Sequence, residues 1–207
     1  MAQYFNIHAE NPQPRMLQQA AAILRDGGVL AIPTDSCYAL ACHTGDKDAM
    51  EKLRAIRRVD ERHHFTLMCR DLADVGQFAR VDNATYRLLK HALPGSFTVI
   101  LEGTKDLPRR LLHPKRKTIG VRIPDHPVAL GLLAAFGEPL LTTTLILPGE
   151  EAPLTDGWEI QERLDHDVDL ILDGGHCGGM PTTIIDLTGS VAELVRAGRG
   201  DPASFGL

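Results

Sequence analysis

Short apolar runs alternate with segments of helical period along almost the whole chain, and this alternation restricts it to an α/β architecture. Strand-type runs stand at Tyr4–His8, Val29–Ile32, Phe65–Cys69, Phe97–Leu101, Thr118–Ile123, Leu140–Leu145, Val168–Leu172, Thr182–Leu187 and Glu193–Arg196. Helical spacing predicts helices over Pro12–Asp26, Asp46–Arg58, Asp71–Ala79, Asn83–Ala92, Pro127–Phe136 and Trp158–Leu164. Gly27-Gly28 stops the first of these, and Asp46 and Asp71 have the short acceptor side chain of an N-cap. No linker, repeat or low-complexity stretch divides the series. The reading is one domain over residues 1–207, a mixed sheet with flanking helices. The last two runs, Thr182–Arg196, read as a hairpin, so a purely parallel doubly wound sheet is not expected.

Charge is unevenly placed. The chain has 22 basic and 27 acidic residues, a net charge of −5, which alone argues against a nucleic-acid binder. Yet Arg54–Arg70 and Lys105–Arg122 together hold 12 basic residues against 3 acidic ones. The rest of the chain is strongly acidic, above all Glu150–Asp173, where nine acids face Arg163. A polarised surface is the better description.

Several classes drop out. The 43% hydrophobic content is that of a globular chain and excludes disorder. Cys37, Cys42, Cys69 and Cys177 lack both zinc-type and disulfide-framework spacing, so buried free thiols in a reducing compartment are expected. No signal peptide or membrane-length apolar run is visible, which gives a cytoplasmic expectation and no membrane partner. Walker and G-x-S-x-G motifs are missing, and His63-His64 and Cys42-His43 lack metal spacing, so no structural metal is expected.

Four stretches could carry chemistry. Pro33-Thr34-Asp35-Ser36-Cys37-Tyr38 follows an apolar strand, where open α/β sheets bind ligands, although Asp35 and Ser36 could equally cap a plain turn. Arg54, Arg57, Arg58 and Arg62 cluster at a helix end, suited to phosphate or simply to the helix dipole. Lys105, Arg109, Arg110, Lys115, Arg116 and Lys117 form a phosphate-attracting loop. In the strand that follows, alternation puts Thr118, Gly120 and Arg122 on one side and Ile119, Val121 and Ile123 on the other. The second set is core; the first suits a ligand. Thr142 and Thr144 share a side in the same way.

In this order the pieces resemble the YrdC/YciO-like family, which includes the L-threonylcarbamoyladenylate synthases. The family's P-T-x-T-x-Y-G-L reads Pro33-Thr34-Asp35-Ser36-Cys37-Tyr38-Ala39-Leu40, and its P-G-x-x-T reads Pro94-Gly95-Ser96-Phe97-Thr98. V-R-x-P-D-H-P is matched by Val121-Arg122-Ile123-Pro124-Asp125-His126-Pro127. The late blocks are similar to Pro181-Thr182-Thr183-Ile184-Ile185-Asp186 and Arg196-Ala197-Gly198. The resemblance runs from about Gln13 to Gly200 and is strongest to the YciO branch, through Phe65–Asp71 and Pro108–Thr118.

That resemblance implies a twisted sheet with a basic concave face, and binding of nucleotide and of RNA, double-stranded RNA or tRNA. It implies ATP or AMP with magnesium as the cofactor. Thr34 would stand on the threonine side, with Ser36 and Tyr38 among the nucleotide- or substrate-binding residues, and Arg122 would meet a threonine carboxylate. Thr118 and Arg196 would meet the nucleotide, with Thr142, Thr144, Thr182 and Thr183 in the same pocket. Arg57 would replace the lysine of the family's Lys-x-Arg pair, beside Arg58, with Val59 at the second cation. The family's Ser-x-Asn reads Thr144-Leu145-Ile146, and isoleucine makes none of an amide's hydrogen bonds. Two readings follow: a nucleotide- and RNA-binding protein acting in tRNA modification, or an active carbamoyl-adenylate-forming nucleotidyltransferase.

Overall fold

All the strand-type runs join one sheet. The structure, a computed structural model, describes residues 1–60 and 63–207; Arg62 of the first cationic run lies outside the described residues. The strands are β1 (Gln3–Asn6), β2 (Leu30–Ile32), β3 (Ala39–His43), β4 (Thr66–Met68), β5 (Phe97–Glu102), β6 (Thr118–Arg122), β7 (Leu140–Thr144), β8 (Leu170–Asp173), β9 (Thr183–Asp186) and β10 (Glu193–Arg196). Their order across the sheet is β1-β8-β2-β3-β7-β4-β6-β5-β9-β10. Parallel pairs (β1–β8, β2–β8, β4–β6, β5–β9) mix with antiparallel ones, and β9–β10 is the expected hairpin. The helices are α1 (Pro14–Arg25), α2 (Lys47–Arg57), α3 (Leu72–Phe78), α4 (Asn83–Ala92), α5 (Pro127–Phe136) and α6 (Gly157–Leu164). Strand β3 is an addition to the sequence reading, which ended that region at the turn.

Local chemistry explains the boundaries. Asp46, Asp71 and Asp82 each accept a backbone N–H of the first turn that follows, at 2.7–2.9 Å. Gly137 ends α5 at φ 89°, a left-handed conformation that costs glycine nothing.

The two faces of the sheet differ. One is covered throughout: Met50 and Leu53 of α2, Val75 of α3, Leu89 of α4 and Ile160 and Leu164 of α6 pack on Leu40, Leu67, Val99, Val121 and Ile171. The other is covered only over its β1-β8-β2-β3 half, where Leu17, Ala20, Ala21 and Leu24 of α1 and Val128, Leu132 and Leu133 of α5 bury Leu30, Ile32, Ala41 and Leu170. The two helices approach closely because Gly131 is bare; a Cβ there would lie 2.7 Å from Leu17 Cδ1.

Where that helical cover stops, side chains on the same face change character. Along β7, Leu140 is core while Thr142 and Thr144 line a cavity; along β4, Met68 is core while Thr66 lines it. This half-covered face positions the site. Leu132, fully buried beneath α5, carries much of the cover. Leu132→Ala is expected to cost about 2–5 kcal/mol of stability, read as a lowered urea midpoint with an unchanged slope.

Candidate functional site

The open half of the face is a floor of small and hydroxylated residues. The registers place Ala41, Thr142, Thr66, Gly120, Ile100 and Asp186 in one row across six strands. Gly120 keeps that floor low: a Cβ there would stand 3.2 Å from Thr98 Cγ2 and 3.6 Å from Thr66 Oγ1. Two cavities open on it, of about 150 and 250 Å³. They share His64, Thr66, Thr98 and Ile184, so together they form one bent trough.

The trough gathers seven of the residues picked out from the sequence: Arg57, Arg122, Thr142, Thr144, Thr182 and Arg196 line the smaller cavity, and Thr118 lines the larger one next door. Three guanidiniums thus converge from α2, β6 and β10. Burial pulls Arg57 and Arg196 below the usual guanidinium range, yet a guanidinium keeps its charge. Arg196 Nη2 donates to the Thr182 carbonyl at 2.8 Å, and Thr182 Oγ1 lies 2.8 Å from Thr98 Oγ1. Arg57 Nη1 donates to the Ile146 carbonyl. The Nε atoms of Arg57 and Arg122 are buried and have no hydrogen-bond partner. Unmatched buried donors beside a cavity await an acceptor.

Arg122 is anchored by an acid. Its Nη2 meets Asp35 Oδ1 at 2.6 Å, and Asp35 Oδ2 accepts from Ser96 Oγ at 2.6 Å. Both members of the ion pair are under a tenth exposed. The sequence reading left Asp35 open between a ligand-binding strand end and a turn cap and did not count it among the site residues. His63, His64, Thr66, Thr98 and Ile146 were also absent from its site. Thr66 and Thr98 carried a signal, since each alternates with core residues as Thr118 does.

Other selected residues stand elsewhere. Thr34 Oγ1 donates to the Cys37 carbonyl at 2.6 Å and accepts from the Ser36 and Cys37 N–H groups, closing the turn that delivers Asp35. Ser36 is fully buried in that turn. The Tyr38 ring is in the helix-covered core on the far face, its hydroxyl donating to the Gly175 carbonyl at 2.8 Å and to Asp173. Thr183 bridges the Gly200 carbonyl and the Gly198 N–H. Arg58 caps α2 in a left-handed conformation and lines a separate surface cleft.

The basic loop divides. Lys105, Arg109, Lys115 and Lys117 are exposed. Arg110 instead donates to the Thr44 and Gly45 carbonyls, and Arg116 pairs with Asp186 at 2.6 Å. All four cysteines are buried and free. Burial pushes the Cys42 and Cys177 thiols up to about 12, so both stay protonated. Among the described residues no helix is long and apolar enough to cross a membrane, and no group of three or more His, Cys, Asp or Glu gathers.

His63 Nε2 lies 3.2 Å from Thr143 Oγ1, and the His64 and His113 rings stack 4.5 Å apart. Burial, then the Arg57 and Arg54 charges, hold His63 below the ordinary 6.5; burial, then His113, does the same for His64. A proton on either ring is therefore less welcome in the folded chain than in the unfolded one. Stability should be full above about pH 6.5 and fall as pH drops through the window below it. The double substitution His63→Gln, His64→Gln should flatten that fall, measured as the urea midpoint between about pH 7 and pH 5; His126, lowered by burial too, leaves a residual slope. Arg122→Ala strands Asp35 as a buried unpaired charge and should cost about 3–5 kcal/mol. Pairing Arg122→Met with Asp35→Asn should recover part of that loss in the same denaturation assay.

Comparison with known proteins identifies the architecture. Residues 22–198 match the Sua5/YciO/YrdC family model, described as telomere recombination. The uncharacterized protein YciO of Escherichia coli K12 is 52% identical over 205 residues, 99% of this chain and 100% of that protein. Its crystal structure superposes with a TM-score of 0.95. The threonylcarbamoyl-AMP synthase of Mus musculus is 31% identical over 191 residues, 92% of this chain and 65% of that protein. Sua5 of P. abyssi, complexed with L-threonine, shares the fold at a TM-score of 0.87 and 24% identity, over 94% of this chain and 57% of that one. With a ten-stranded mixed sheet, the ordered motifs and these matches in agreement, the chain belongs to the Sua5/YciO/YrdC family and is related to the threonylcarbamoyl-AMP synthases.

Proposed function

We propose that the chain binds an adenine nucleotide in the bent trough, with magnesium arriving on the phosphates, and meets RNA phosphates along its basic loop. The observation that carries the nucleotide part is the convergence of Arg57, Arg122 and Arg196 on one small cavity that no carboxylate lines among the described residues, Asp35 pairing with Arg122 behind it. Such an excess of positive charge around one cavity, with Arg122 buried and Arg57 half-buried, favours an anionic ligand, and unpartnered Nε donors on two of the arginines supply directional contacts. The adjoining cavity around Thr118, Gly120 and Ile100 has the less polar walls that suit a base and ribose. Kinship with the threonylcarbamoyl-AMP synthases agrees with this division. The RNA part rests on the exposed cations Lys105, Arg109, Lys115 and Lys117 and on A-form recognition through phosphates and 2′-hydroxyls. It would place the chain in tRNA modification.

Turnover is the second reading. Attack on an α-phosphate develops charge that three guanidiniums could hold without reorganising, while Thr142, Thr144 and Thr182 orient the acceptor. An amino acid held through its carboxylate by Arg122 would combine at its amine with bicarbonate, losing water, and the resulting carbamate oxygen would attack the α-phosphate to form a carbamoyl-adenylate as pyrophosphate leaves.

Calorimetry with Mg–ATP tests binding. Arg57→Met and Arg196→Met, neither of which strands an acid, should each weaken it about tenfold or more, since each removes a charged hydrogen-bond donor. No measurable heat with the unsubstituted chain would overturn the nucleotide reading. Pyrophosphate release with ATP, bicarbonate and a panel of amino acids separates turnover from binding.

A further inference from the structure

A second cationic cavity lies outside the trough. A cleft of about 590 Å³ opens between the end of α3 and the loop that follows β5, and Arg80, Lys105, Arg109 and Lys117 line it. Among the described residues no carboxylate lines it. The Lys105 and Arg109 side chains make no hydrogen bond or ion pair among the described residues. Arg80 Nη1 is 3.6 Å from Glu102, and its side chain is 72% exposed, an arrangement in which an ion pair neutralises little. Lys117 stands at φ 56°, a left-handed conformation that costs a lysine of order 1 kcal/mol, with Nζ donating to the Pro114 carbonyl.

The cleft also has an apolar wall. Leu107 and Leu112 line it beside Gly103, whose bare backbone lets the end of the Leu112 side chain lie against it. Leu111 lines the trough while Leu112 lines the cleft, so one short turn, Arg109–Leu111 and the residue after it, separates the two cavities. The loop's cations therefore serve different ends. Arg110 and Arg116 are engaged by the fold, whereas Lys105 and Arg109 join Arg80, more than twenty positions earlier in the chain, around an open cavity.

We propose that this cleft binds a nucleotide unit by its phosphate, held by Arg80, Lys105 and Arg109, with the base against Leu107 and Leu112. The phosphate is that of an RNA strand or of a free nucleotide. The proposal rests on the preceding reading for its RNA source only and is independent of the nucleotide trough.

The test uses the full chain, a fluorescent single-stranded oligoadenylate followed by anisotropy, and AMP followed by calorimetry. The double variant Arg80→Ala, Arg109→Ala is compared with Arg110→Ala, whose guanidinium is occupied elsewhere. The double variant should weaken oligoadenylate binding about tenfold and reduce the salt slope by about 0.7, the share of one single-strand phosphate, while Arg110→Ala stays within about twofold. Loss for the oligonucleotide alone assigns the cleft to an RNA strand; loss of an AMP-binding component as well assigns it to free nucleotides, and both support the proposal. Unchanged affinity for both ligands in the double variant overturns it. So does an equal loss in Arg110→Ala, which marks diffuse electrostatic attraction. Failure of Mg–ATP to bind, with the cleft effects intact, counts against the trough alone.

Discussion

Everything in this molecule depends on a ten-stranded sheet buried on one face and only half buried on the other. A mixed sheet needs apolar cover to hold its strands, and α1 and α5 supply that cover over the β1-β8-β2-β3 half. Beyond their edge the sheet would expose apolar surface to water. The chain avoids this by changing residue type along single strands, from Leu140 to Thr142 and Thr144 and from Met68 to Thr66. Threonine keeps the β-branched shape that strands favour while presenting a hydroxyl. The same substitution that makes an uncovered face tolerable makes it a ligand floor.

Concentrated positive charge on that floor needs restraint, and Asp35 supplies it. Its carboxylate takes one edge of the Arg122 guanidinium and leaves the buried Nε without a partner. The turn that carries Asp35 is closed by Thr34 and packed by Ser36, which explains why a hydroxyl-rich motif sits there without lining the cavity. Its polar groups act one step back, through the acid they position.

The sequence was legible where a single element's periodicity settles a residue's side. Strand β6 is the clearest case: alternation alone separates Ile119 and Val121 in the core from Thr118, Gly120 and Arg122 at the floor. Helices with clean caps, Asn83–Ala92 and Pro127–Phe136, were read to the residue. Legibility failed where distant segments decide the outcome. Strand β3 was missed because Ala39–His43 is a run of small and mixed residues, held as strand by β2 on one side and β7 on the other. Tyr38 carries a polar tip, but Asp173 and Gly175 satisfy that tip 135 and 137 positions away, so the ring stays in the core. Charge density behaved likewise: six cations on one loop read as one footprint, while Arg110 and Arg116 are consumed by partners that only the fold brings near.

One departure from the synthase pattern, Ile146, meets a cation of the site. By the resemblance Arg57 would replace the family's lysine and Ile146 its asparagine, while Val59 leaves the second cation unmatched. Here the guanidinium of Arg57 donates to the backbone carbonyl of Ile146. An asparagine would bring its own amide to the cavity; isoleucine brings none, so its carbonyl is the only acceptor this residue can give. Guanidinium's several donors can satisfy that carbonyl and still leave Nε for a ligand, which lysine's single nitrogen does with less directional control. The pair therefore reads as one coupled change that keeps a fixed cation at the cavity wall while trading a polar contact for an apolar one. Cation and apolar side chain thus stand side by side at one wall of the cavity.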